Sequence, residues 1–159
     1  EQSKWKRTFA PNLTKGFRAN ILLLFIYLYV VIYSGAFVRH TDSSLGCLDF
    51  PLCNGKLVPN LYSRAGVQFS HRFIAGLLVL WLVLTFIHIT RHYRHLPLFY
   101  WASFWNIIII LCQATTGILV IYTRMQLNLL LLHSFFVTLL FGVMSLLFMV
   151  AFRKQNTES

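Results

Sequence analysis

The sequence predicts an all-α membrane protein, an antiparallel four-helix transmembrane bundle with both termini cytoplasmic. Three observations carry this. Of 159 residues, 57% are hydrophobic and only 11% charged, against roughly 25% charged in a soluble domain. Apolar runs at about 20–38, 66–90, 99–122 and 127–152 are each long enough to cross about 30 Å of hydrocarbon, which takes roughly 20 helical residues. Finally, Lys4, Lys6, Arg7, Lys15, Arg18, Arg91, Arg94, Arg153 and Lys154 flank one side of that topology, whereas only Arg39, Lys56, Arg64 and Arg124 flank the other. The cation-rich side is the cytoplasmic or matrix-like one. Backbone groups in hydrocarbon have no water to bond, so each run must be a helix.

The elements follow in order. Residues 1–19, containing KWKRTFAPNLTKGFR, read as a basic interfacial segment with Trp5 and Phe17 at headgroup level. A start at Glu1 is what a processed product or a piece of a longer protein would show. The first apolar run is longer than that of a secretory signal and lacks its small-residue cleavage site, so it counts as a spanning helix. The 39–65 loop is the one sizeable extramembrane piece, rich in the Gly, Pro, Asn and Ser of turns. Residues 91–98 and 123–126 are short links, so helices 2, 3 and 4 are antiparallel neighbours in an up-and-down bundle. Residues 153–159 form a polar tail, and no internal repeat is evident. The formal net charge of +10 does not indicate nucleic acid, because no basic face remains once the cations are divided between the membrane surfaces.

Ionisable groups inside a membrane face the bundle interior and are functional candidates. His71 lies five residues into helix 2 and His133 six residues into helix 4. Both helices enter from the outer face, which puts the two rings roughly 8–9 Å below it at matching depth. Two imidazoles at one level suit the opposite axial positions of a haem iron; the structural alternative is a pair of histidines bonded to neighbouring helices. A zinc site lacks a Cys, Asp or Glu at that depth. Asn106, Gln113 and Gly117 share a face of helix 3, echoed by Ser134 and Thr138 on helix 4, and suit either a pocket wall or close helix packing. Arg39, His40, Arg64, Arg72 and Arg124 lie near the outer mouth, where any two could meet haem propionates and the rest snorkel.

Cys47 and Cys53, in the outer loop, suit a disulfide better than free thiols or a redox pair, for which CxxC spacing is missing. Cys112 reads as a small apolar filler. His88, His92 and His95 lie about 26 Å from His71 along the helix, too far to share its site, and fit a basic helix end facing lipid headgroups. No Ser-His-Asp set, nucleotide loop or carboxylate pair is present.

The stretches SGAFVRHTDSSLGCLDFPLCNG, VQFSHR, CQATTG and LLLLHSFF together resemble the haem A synthases, membrane oxidoreductases that convert a haem O methyl group to the formyl of haem A. The likeness covers about residues 20–152. It implies an eight-helix parent of two similar four-helix halves, each with a histidine pair, one half holding haem O as substrate and the other a haem b cofactor. It places the ligands on His71 and His133 and a disulfide on Cys47 and Cys53. Where the substrate half has a glutamate three residues before the helix 2 histidine, this chain has Gln68, an amide that can neither ionise nor take up a proton.

The resulting expectation is the C-terminal, haem b-binding half of a haem A synthase, multi-pass in a bacterial plasma membrane or its equivalent, with residues 1–19 as the linker from a preceding half. Haem b would be held by His71 and His133, with Arg72, Gln113 and Arg39 around it, and no residue is assigned a catalytic role. Its partners would be the lipid bilayer, a second four-helix half from another chain or a homo-oligomer, and haem O synthase or oxidase assembly factors. Two alternatives stand beside it: a half-size homo-oligomeric synthase that binds haem O itself, and a non-catalytic b-type cytochrome or accessory subunit of a respiratory complex.

Overall fold

A computed structural model describes residues 13–153. It contains α1 (Lys15–His40), α2 (Arg64–His92), α3 (Pro97–Tyr122) and α4 (Leu127–Phe152), and among the described residues no strand accompanies them. All four helices are long and apolar enough to cross a membrane, and the chain is an integral membrane protein. Each helix packs on its chain neighbours, and α1 also packs on α4. The bundle is therefore a closed ring in which α2 and α4 are diagonal.

The first helix begins earlier than the apolar run suggests. Thr14 accepts a hydrogen bond from the Phe17 N–H as N-cap, which satisfies a free backbone donor and starts the helix within the basic stretch. Phe17 is not turned to headgroups: it is buried and stacks on Tyr93 at 4.6 Å and His88 at 5.3 Å. Trp5 and the rest of the proposed interfacial segment up to residue 12 lie outside the described residues.

Lipid is as apolar as leucine, so burial alone gives membrane helices little reason to associate, and polar contacts of roughly 0.6 kcal/mol each help to fix their register. Asn20 makes two. Its Oδ1 accepts from the Trp81 indole at 2.9 Å and its Nδ2 donates to Thr85 Oγ1 at 3.2 Å. On the other side of the ring, Asn106 Nδ2 donates to Met144 Sδ at 3.2 Å.

The buried positions reveal a repeat that the residues alone conceal. At one constant shift, the six buried residues of α1 fall on buried residues of α3: Phe17 on Phe99, Ile21 on Ser103, Leu24 on Asn106, Leu28 on Ile110, Val31 on Gln113 and Val38 on Val120. At another, Leu78, Leu82, Thr85 and Ile89 of α2 fall on Leu140, Met144, Leu147 and Ala151 of α4. That second shift also carries His71 onto His133.

The helix ends repeat as well. Thr41 and Thr123 cap α1 and α3, their hydroxyls donating to Phe37 O and Leu119 O, each at 2.8 Å. The next residues, Asp42 and Arg124, have φ of 51° and 50°, and the following N–H groups return to Val38 O and Val120 O, as left-handed helix terminators do. The bundle is two copies of one helical hairpin, α1–α2 and α3–α4. The repeat is hard to see as identity because most paired core residues differ, three of them changing from apolar in α1 to polar in α3 (Ile21 to Ser103, Leu24 to Asn106, Val31 to Gln113).

Between α1 and α2 the chain folds back onto the first turns of α2. Gly46 and Gly66 are indispensable to this seat. A Cβ on Gly46 would lie 2.5 Å from Arg64 O, and one on Gly66 2.4 Å from Asn60 O and Leu61 Cα, distances that only backbone movement could relieve. Further out, Asn54 and Gly55 both adopt positive φ in a tight turn closed by the Cys53 and Lys56 backbones, the conformation that Asn-Gly favours.

Candidate functional site

His71 and His133 emerge from the diagonal helices α2 and α4. Each ring is seated on the helix before it by the same two-residue device. At His71, Ser34 Oγ lies 2.8 Å from Nδ1 and gives its own proton to Val31 O at 2.7 Å. The hydroxyl therefore accepts Nδ1–H. Gly35 lies beneath the ring edge, where an added Cβ would stand 3.0 Å from His71 Cε1.

At His133, Thr116 Oγ1 lies 3.2 Å from Nδ1 and donates to Cys112 O at 2.9 Å. The carbonyl of Gln113, which can only accept, is 3.1 Å from the same nitrogen, so Nδ1 carries the proton. Gly117 again lies beneath the ring, where an added Cβ would stand 3.0 Å from His133 Cε1. Both imidazoles thus offer Nε2 to a ligand. At His133 the Gln113 side-chain amide donates to that atom at 3.0 Å, so an incoming metal and this amide would compete for one lone pair.

The donor set fits a haem: two neutral imidazoles from opposite helices, each with its second nitrogen engaged in the manner that orients a metal-bound histidine. Gln113 is buried against His133, and Asn106 is buried lower on α3. Arg39 is exposed in the last turn of α1. Ser134 and Thr138 are exposed on α4, with the Thr138 hydroxyl donating to Ser134 O. Cys112 is a half-buried free thiol.

Two residues have other engagements than the sequence implies. The Arg72 guanidinium donates to Asp49 O and Cys47 O, both at 2.8 Å, and to Leu52 O at 3.3 Å, gripping the loop that the Cys47–Cys53 disulfide closes. Gln68 is buried; its Nε2 donates to Ser44 O at 2.7 Å and its Oε1 accepts the Cys47 N–H. Both ends of the amide hold the same loop. Glutamate cannot donate to Ser44 O. Gln68→Glu is therefore expected to loosen the loop by about 1–3 kcal/mol, the cost of an unpaired buried group, read as faster amide exchange from Ser44 to Cys53.

Asp49 tightens the rim. Its carboxylate accepts the N–H groups of Gly55, at 2.9 Å, and Asn54, and these bonds, with the nearby Arg72 charge, hold its pKa below the ordinary carboxylate value. A lowered folded-state pKa contributes stability above the unfolded value of about 3.9 that disappears as pH falls through the folded one. Amide protection at Asn54 and Gly55 is expected to persist to about pH 4 and to fade below it, and Asp49→Asn should flatten that profile.

The sequence does not single out Ser34, Gly35 and Thr116. The available signal is a Ser/Thr-Gly pair six residues before a Thr, present once in α1 and once in α3.

Comparison with known proteins adds the family context. A family model described as a cytochrome oxidase assembly protein, COX15-CtaA, matches residues 3–145. A heme A synthase of Alkalihalophilus pseudofirmus is 33% identical over 151 residues, covering 95% of this chain and 51% of that protein. Those of Geobacillus kaustophilus and Bacillus licheniformis are each 40% identical, over 91% and 89% of this chain but 46% and 48% of their own lengths. The chain spans about half the length of the curated relatives it matches.

Proposed function

The chain belongs to the COX15-CtaA family of cytochrome oxidase assembly proteins, and from that premise we propose that it is the haem-binding half of a haem A synthase, with His71 and His133 as axial ligands of a b-type haem. The observation that supports this best is the pair of equivalent imidazole seats on diagonal helices, each leaving Nε2 for iron. A haem bound there supplies one-electron redox chemistry at a potential set by its ligands and surroundings. Ser34 and Thr116 orient the two imidazoles, Arg39 lies at the end of the bundle where a propionate would emerge, and the apolar walls exclude water.

A second four-helix half, from another chain or a second copy, would hold haem O and carry its oxidation. Gln68 supports assigning that step elsewhere, because its amide is committed to the loop and has no carboxylate to offer. The termini lie on the cytoplasmic side in this reading, in keeping with the distribution of cations.

The test is to purify the full chain in detergent, record its visible spectrum, and identify the extracted pigment by mass. Protohaem in a low-spin, six-coordinate state is expected. Recovery of haem O or haem A would move the reading to a half-size synthase, and absence of any haem would overturn the haem-site assignment.

A further inference from the structure

We propose that Ser34–Gly35 and Thr116–Gly117 are duplicated positioning elements that fix both axial histidines in one tautomer and orientation, with the His71 seat resting on a single acceptor and the His133 seat on two. This rests on the haem-site reading above. The repeat is what makes the seats informative. The shift that superposes the buried faces of α1 and α3 also superposes Ser34 on Thr116 and Gly35 on Gly117, although other positions of that face have diverged from Leu24 to Asn106 and from Val31 to Gln113. The hydroxyl-glycine pair recurs although the buried positions preceding it on that face, Val31 and Gln113, differ in polarity.

The two glycines leave no room for a methyl group without displacing the imidazole edge by a few tenths of an ångström. At His71, Ser34 Oγ is the acceptor for Nδ1–H. At His133, Gln113 O shares that proton with Thr116 Oγ1. Removing one hydroxyl should therefore free the His71 ring but not the His133 ring.

The experiment compares Ser34→Ala, Ser34→Thr and Thr116→Val in the full chain. Outer hydrogen-bond partners of metal-bound histidines are worth about 10–100-fold in metal affinity. Ser34→Ala should lose haem retention within that range and shift the low-spin electron paramagnetic resonance signal. Ser34→Thr should restore both, and Thr116→Val should change them less than Ser34→Ala does. A second readout needs no haem: nitrogen-15 shifts of the haem-free protein should show Nδ1 protonated in both rings, with only His71 becoming mixed in Ser34→Ala. Unchanged haem retention, resonance signal and tautomer in Ser34→Ala, or a larger effect from Thr116→Val, would overturn the inference. If the native chain takes up no haem, the functional reading fails and the tautomer measurement still decides the seats.

A different observation points to a hydration site deeper in the bundle. Ser103 Oγ and Asn106 Oδ1 are buried with no hydrogen-bond partner among the described residues, and both border a cavity of about 10 Å³ that Thr85 and Met144 also line. In the other hairpin the equivalent positions are Ile21 and Leu24, so packing there does not demand polar groups. A cavity of this size holds about one water, and a water in it could bond to both orphaned oxygens. With the water present, Ser103→Ala should lower the thermal midpoint in detergent, and the Asn106 side-chain amide should show a magnetisation-transfer contact to water. A raised midpoint without that contact would mark the site as dry, because deleting an unpaired buried hydroxyl is stabilising.

Discussion

In the proposed haem site, replacing His71 or His133 with alanine is expected to leave the purified chain with a five-coordinate haem or none, in place of a six-coordinate one. The loss in retention should exceed the roughly 10–100-fold assigned to outer partners of a ligand, because here the bond to iron itself is removed. The visible spectrum reads the change directly, as loss of the low-spin bands. The two variants should differ in detail. In His133→Ala the Gln113 amide loses its acceptor on His133 and has a second unpaired atom beside its already orphaned Oε1. That variant should therefore cost thermal stability even without haem. His71→Ala strands less, since Ser34 retains its bond to Val31 O. A low-spin signal surviving both substitutions would remove these residues as ligands.

Arg72→Leu should produce the largest structural effect in the loop. Hydrogen bonds from a charged donor contribute about 1.5–3 kcal/mol each, and Arg72 makes three to the carbonyls of Cys47, Asp49 and Leu52. They share one guanidinium and are not additive, so a loss of about 3 kcal/mol in loop order is expected. The disulfide would still close its short ring, but that ring would no longer be tied to α2. Faster reduction of Cys47–Cys53 by a mild thiol and protease sensitivity between residues 44 and 58 would show it, and Arg72→Lys should recover part of the protection. If Arg72 instead serves mainly to bind a propionate, Arg72→Leu would weaken haem binding while the loop kept its protection.

Much of the fold was legible in the sequence because membrane insertion simplifies the problem. Apolar length alone delimits four helices, and short links force neighbours to be antiparallel. The same reasoning predicts one level for His71 and His133, since rise per residue converts position into height. What could not be read was direction around the helix axis at the loop end. Arg72 adjoins His71 and reads in sequence as a propionate partner; its three bonds to loop carbonyls become visible only in the folded loop, which depends on the close backbone crossings at Gly46 and Gly66. In sequence Gln68 reads as a replaced acid, and only the folded loop shows that both ends of its amide are engaged. The seats were hidden by brevity: a Ser-Gly or Thr-Gly pair is too common to notice until two copies are found beneath two equivalent rings. The start of α1 was missed because Lys15, Gly16 and Arg18 look like an approach to the membrane, while the Thr14 cap and the Phe17 stack recruit them into the helix.

The doubled hairpin also determines how the protein can be divided. Each hairpin brings one histidine together with the seat that orients it, and the two are joined through residues 93–96, of which Arg94 and His95 are exposed. A break between Arg94 and His95 would yield two fragments, each able to enter the membrane as an antiparallel pair and each carrying one of the two proposed ligand histidines with its seat. If the proposed haem site is right, neither fragment could clamp a macrocycle on both faces by itself, so pigment recovered only when both are produced together would report their reunion in the bilayer, a two-piece complementation system with colour as the signal.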